Sequence, residues 1–179
     1  MEPALDALYQ QIFAEKGFDI KALVRPSDSR LVQVKLQPGH EATTFAGLTE
    51  RTVFDRMLHQ DVRIQLSCDQ AFTIQEKMLA PRYRSHDTVT MEYYDEVGIP
   101  GDWFDCRADL YVAGWRKEDF TVDVWIIMVR LAIVLETELG VMVWSEPREN
   151  SKSAATANFR WIRRADIPDS VIFAQGWPV

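Results

Sequence analysis

The chain predicts an α/β (α+β) fold, a mixed β-sheet with a β-hairpin or meander flanked by helices. Three observations carry this. Segments of period 3.6 and period 2 alternate in the order helix, strand, helix, hairpin, strands, strand, helix, strand. The 179 residues are 47% apolar and 26% charged, an ordinary globular composition. A chain of that length buries about 70% of its unfolded surface without a metal or disulfide. No internal repeat or linker divides it, so residues 1–179 read as one domain.

Residues 3–16 place Leu5, Leu8, Ile12 and Phe13 at helical spacing, and Gly17 is the stop. Residues 25–29 (RPSDS) read as a loop, and 31–36 (LVQVKL) as a strand ended by Pro38-Gly39. Residues 49–58 predict a helix with Thr49 as N-cap and Val53, Phe54, Met57 and Leu58 as its apolar stripe. Glu50 precedes Val53 and Phe54 by three and four positions, on or beside that stripe.

The period then becomes two. In 61–66, Val62, Ile64 and Leu66 share one face, and Asp61, Arg63 and Gln65 the other. SCDQ (67–70) has turn chemistry. In 72–79, Phe72, Ile74, Glu76 and Met78 oppose Thr73, Gln75, Lys77 and Leu79. The pair predicts an antiparallel hairpin. Further on, 88–94, 108–115 and 122–129 read as strands, 130–139 as a helix, 140–144 (GVMVW) as a strand, 145–156 as a polar, mobile loop and 158–162 as a short strand.

Several functions are excluded or disfavoured. The apolar run 122–135 holds Asp123 and Arg130 and falls short of the roughly 20 residues a membrane helix needs. Residues 1–17 lack a signal peptide's basic and apolar regions. Cys68 and Cys106 are too few for a disulfide scaffold and read as reduced thiols in a cytoplasmic protein. His40, His59 and His86 are scattered, giving a zinc site little support. The net charge of −7 excludes a histone-like, globally basic binder. That charge is local: residues 85–123 hold three basic against ten acidic residues, while 148–164 hold five basic against one acid.

The chemistry concentrates in 61–77. Asp61 opens one strand, and Gln75 and Lys77 share a face of the next, so the three can converge across the hairpin. Phosphodiester hydrolysis needs oxygen ligands for Mg²⁺ and a lysine that orients water and offsets charge. Asp61, Gln75 and Lys77 supply those groups, and Glu50 could add a carboxylate. Arg82 and Arg84 extend a basic stretch after Lys77, and Lys152, Arg160, Arg163 and Arg164 form a second basic segment, both candidates for phosphate contact. Some of the six tryptophans could stack on bases.

Asp61, thirteen intervening residues and Gln75-x-Lys77 on adjacent strands after a helix resemble the PD-(D/E)XK nuclease superfamily, the restriction-endonuclease-like fold. The phrases TIQEKML, CRADLYVAGW and FRWIRRADIP also resemble its small single-domain members. The similarity covers about residues 47–170. It implies a core of a helix, a three-stranded meander, a helix and a further strand. It implies a Mg²⁺- or Mn²⁺-dependent site with Asp61 and Gln75 as ligands, Lys77 positioning the water and Glu50 completing the metal site or acting as base. DNA is the implied partner, and a homodimer suits a nuclease that cuts both strands. The chain departs from the pattern at Gln60, where proline is usual, and at Gln75, a neutral ligand that some members share. A register slip of one residue would put Glu76 at the site instead. Two other readings remain open: a catalytically inactive nuclease-fold binding or assembly protein, such as a phage or mobile-element accessory factor, and a small β-rich ligand-binding domain with a tryptophan-lined pocket.

Overall fold

The computed structural model describes residues 2–27, 29–30, 48–83, 85–94, 101–119, 121–149 and 158–177, and only the backbone of 55–57. The predicted strand at 31–36 and the Pro38-Gly39 stop lie outside these, as do His40, Arg84 and Lys152.

Helix α1 (Glu2–Glu15) buries Leu5, Ile12 and Phe13, as the spacing predicts, together with Tyr9, while the predicted Leu8 is only partly buried. Gly17 ends it with φ +81°, a left-handed backbone that glycine adopts without strain. Strand β1 (Ile20–Val24) follows. A wide helical turn spans Arg51–Met57; Leu58 N–H donates five residues back to the Val53 carbonyl, at 3.1 Å. Thr49 caps this turn, as expected: its hydroxyl oxygen accepts the Thr52 N–H at 3.2 Å.

Strands β2 (Val62–Leu66) and β3 (Ala71–Leu79) form the predicted antiparallel hairpin, with Val62 opposite Ile74. Asp69 at the tip takes φ +63°. Strand β4 (Thr88–Tyr94), the short helix α2 (Asp102–Asp105), β5 (Leu110–Arg116), β6 (Val122–Val129) and α3 (Arg130–Glu138) come next. Strands β7 (Arg148–Glu149), β8 (Asn158–Arg163) and β9 (Ile172–Gln175) complete the chain.

The strands make two sheets. The larger has the order β1-β2-β3-β5-β6-β9 and the smaller β4-β8-β7. β1, β2 and β3 run antiparallel in turn, β5 is parallel to β3, and β6 and β9 are antiparallel to their neighbours. The sheet is therefore mixed, as predicted. One apolar cluster joins α1 to Val62, Ile64, Leu66, Ile74, Val112 and Ile127. The other joins Tyr111, Ala113, Ile126 and Met128 to β4, β8 and α3 on the opposite face. No described helix is long and apolar enough to cross a membrane.

GVMVW is not a strand. The Val141 and Met142 N–H groups both bond the Glu136 carbonyl at 2.9 Å, so the segment folds back on the end of α3. Its alternation is nonetheless real: Val141 and Val143 are 58% and 71% exposed, while Met142 and Trp144 are buried.

An ion-pair network ties β3 to α1 and β1. The Glu76 carboxylate accepts both guanidinium N–H groups of Arg25 at 2.9 Å and the Tyr9 hydroxyl at 2.8 Å. Arg25 also reaches Asp6 at 2.8 Å. Burial and Glu76 hold the Tyr9 phenol above its ordinary pKa. Removing one member leaves a charge half-desolvated. Arg25→Met should destabilise the fold by about 3 kcal/mol, and adding Glu76→Leu should recover most of it. Urea titrations check this. Equal losses in the single and double variants would contradict it.

Candidate functional site

Strand β3 sends alternate side chains to opposite layers. Glu76 faces α1, while Gln75 and Lys77, paired in register with Tyr111 and Ala113, face the smaller sheet. The register that the Gln75-x-Lys77 reading requires is the one found. Asp61 precedes β2 directly and binds β3 through two hydrogen bonds. Its N–H donates to the Ile74 carbonyl at 2.8 Å, and its Oδ2 accepts the Glu76 N–H at 2.6 Å.

Asp61 and Lys77 meet at one cavity of about 400 Å³, lined also by Glu2, Arg25, Arg51 and Glu76. Neither Gln75 nor Glu50 lines it. The Glu50 carboxylate accepts the Arg30 Nε–H at 2.7 Å and the Ser27 N–H at 3.2 Å, holding the loop at 25–30. The residue of that turn which does reach the cavity is Arg51.

Gln75 is 8% exposed, and its Oε1 is buried with no hydrogen-bond partner. Leaving such an acceptor unpaired costs roughly 1–3 kcal/mol. An amide oxygen in that state suits a hard cation or a bound donor. Among the described residues no group of three or more His, Cys, Asp or Glu side chains is arranged to hold a metal. Of the predicted metal ligands, Asp61 lies on the cavity and the Gln75 amide oxygen is buried outside it.

The sequence reading missed three residues on the Lys77 side. Glu92 of β4 accepts from Lys77 Nζ at 3.2 Å. Gly101 lets it approach: a Cβ there would fall 2.8 Å from the Glu92 Cγ and carbonyl oxygen. Asp102, buried at the start of α2, lies 3.0 Å from His59 Nδ1 and 3.3 Å from the Tyr111 hydroxyl. His59 itself takes φ +50°, a left-handed backbone uncommon for histidine. The bond to Asp102 raises the His59 pKa against the opposing effect of burial, with Asp105 and Glu92 adding to the rise. Burial pushes the Asp102 carboxyl up, but His59 and the Lys77 charge outweigh it and hold the carboxyl below its ordinary value. Periodicity marks Glu92 only as one polar residue on the Thr88–Thr90 face, and it carries no signal for Asp102 or His59. Cys106 is buried, and burial raises its thiol pKa to about 11, so it is no ready nucleophile.

The predicted basic residues do not form one patch. Arg82 is exposed and stacks over Tyr83 at 4.8 Å. Arg160 sits between the Tyr93 and Trp103 rings, at 4.7 and 4.6 Å, with its Nε buried and unpartnered. Arg163 pairs with Asp166 at 2.7 Å, and Arg164 binds the Gln175 side chain. Arg84 and Lys152 lie outside the described residues.

The Asp102–His59 pair predicts a defined pH window. A carboxyl with a lowered pKa stabilises above its unfolded value, and an imidazole with a raised pKa stabilises below its own. The contribution is complete between about pH 4 and pH 6.5. It fades as pH falls through the lowered Asp102 pKa, or rises through the raised His59 pKa. The stability difference between the native chain and Asp102→Asn, measured by urea titration, should shrink at alkaline pH, and a pH-independent difference would contradict it. No known family, curated protein or solved structure matches the chain.

Proposed function

We propose that the chain is a Mg²⁺-dependent phosphodiesterase acting on DNA, built on a restriction-endonuclease-like core. The observation that carries this is the buried, unpartnered Gln75 Oε1, on β3 between Ile74 and Glu76, whose backbone groups Asp61 bonds, and two residues before Lys77. The connectivity supports it as well. A helix, an antiparallel meander β1-β2-β3, a connection that includes α2, and β5 parallel to β3 come in the order of the core that the resemblance implies, but α1 and β1 precede residues 47–170, and β4, between β3 and α2, joins the smaller sheet.

Asp61 and Gln75 would hold the metal. When bound, Mg²⁺ (or Mn²⁺) polarises the phosphoryl oxygen and lowers the pKa of water. Lys77 then does two things. Its ammonium offsets charge on the phosphate, and its N–H groups orient the attacking water. The water oxygen would form the new bond to phosphorus as the bond to the leaving oxygen breaks; the attacking water would give up one proton to solvent, and the leaving oxygen would take one up from solvent. Glu92 holds Lys77 in place through its 3.2 Å hydrogen bond. Glu50, offered by spacing as a second carboxylate besides Asp61, is engaged by Arg30 and Ser27, and Glu92 is the carboxylate that Lys77 bonds.

A second reading has its own observation. Lys77 is already ion-paired, and the described residues hold no cluster of three metal-binding side chains, which suits a non-catalytic DNA-binding or assembly protein of the same fold. One assay separates the two. With Mg²⁺ or Mn²⁺ the purified chain should cut linear DNA, and EDTA should stop it. Asp61→Ala and Lys77→Ala should each slow cutting roughly a hundredfold or more. DNA binding without cleavage under either metal, or unchanged rates in both variants, would overturn the hydrolytic reading.

A further inference from the structure

Lys77 also lines a second cavity, of about 570 Å³, together with Tyr83, Glu92, Arg148, Phe159 and Trp161. Its volume falls within the range of ligand sites, about 300–1,000 Å³. One wall is the outward face of the smaller sheet. On the inward face Val89, Met91 and Ile162 are buried in the core. On the outward face Phe159 and Trp161 stand two residues apart on β8, with Thr90 opposite Trp161 and Glu92 and Arg148 flanking Phe159. Both rings are only partly buried and belong to neither apolar cluster. The Arg148 guanidinium lies 5.8 Å from the Trp161 ring centre.

We propose that this face is a stacking platform for the bases of a single DNA strand, with Phe159 and Trp161 as the stacking surfaces and Arg148 and Lys77 as phosphate contacts. The inference rests on the DNA reading above and narrows its substrate to unpaired strands. Three features select this occupant. Aromatic rings spaced along a strand on an open sheet face meet successive bases, whatever their sequence. Duplex bases are stacked on their neighbours and hide the faces such rings need. The cations complement a phosphodiester chain: Arg148 lies beside the rings, and Lys77 belongs to both cavities, so a strand on the platform passes the residue proposed to act on it.

Fluorescence anisotropy with a labelled oligothymidylate and an equally long duplex tests this on the full chain. EDTA in the buffer prevents hydrolysis. The single strand should bind more tightly than the duplex. Trp161→Ala and Phe159→Ala should each weaken single-strand binding about tenfold, and Trp161→Phe, which restores a ring, should recover most of it. Equal binding of single strand and duplex, or unchanged binding in Trp161→Ala, would overturn the platform while leaving metal-dependent duplex cleavage intact. Trp161-dependent binding by a chain that cuts no DNA would uphold the platform and remove the hydrolytic reading.

Discussion

The Glu76–Arg25 ion pair sets the orientation of β3, and the arrangement around Gln75 and Lys77 depends on it. Two of the three acceptor contacts on Glu76 come from Arg25, next to β1, and the third from Tyr9 of α1. A carboxylate this enclosed needs those donors, because an unpaired charge on the α1 face would face the full desolvation penalty. With Glu76 held toward α1, the two-residue period of the strand sends Gln75 and Lys77 to the other layer. A slip of one residue would bury Lys77 against α1 and leave Arg25 with Asp6 as its remaining carboxylate partner.

The opposite face of β3 then supplies a polar seam between the two sheets. Lys77 meets Glu92, and the buried Asp102 is satisfied by His59 and approached by Tyr111. These groups polarise one another in a region of low dielectric, where a satisfied network is firm and an unsatisfied atom conspicuous. Gln75 Oε1 is such an atom. It lies among paired neighbours, two residues before Lys77, on which the second cavity opens.

Local patterns made much of the fold legible. The Leu5–Ile12 spacing, the Val62–Ile64–Leu66 alternation and the TVTMEYY run each became the element that their period implied. β1 was missed because IKALV mixes half-buried and exposed positions without alternation. GVMVW alternates like a strand, but Gly140, at φ +71°, turns the chain back onto α3 before any ladder forms. That β4 joins β8 in a separate sheet has no local signature at all. The hairpin half of the candidate site was legible for the same reason as the hairpin: Asp61, Gln75 and Lys77 lie on elements with a clear period. Glu92, Asp102 and His59 come from a strand, a short helix and a turn brought together only by tertiary packing. Glu50 shows the converse, since helical spacing placed it toward the core and Arg30 drew it to the loop.

The proposal's central claim is that Asp61 and the unpartnered Gln75 Oε1 together receive a divalent cation. Calorimetric titration of the purified chain with Mn²⁺ tests it without any substrate. The account predicts one bound ion per chain, with binding lost in Asp61→Ala, weakened at least several-fold in Gln75→Ala and strengthened in Gln75→Glu, where a carboxylate replaces the amide. No heat of binding in the native chain, or the same affinity in all three variants, would contradict it.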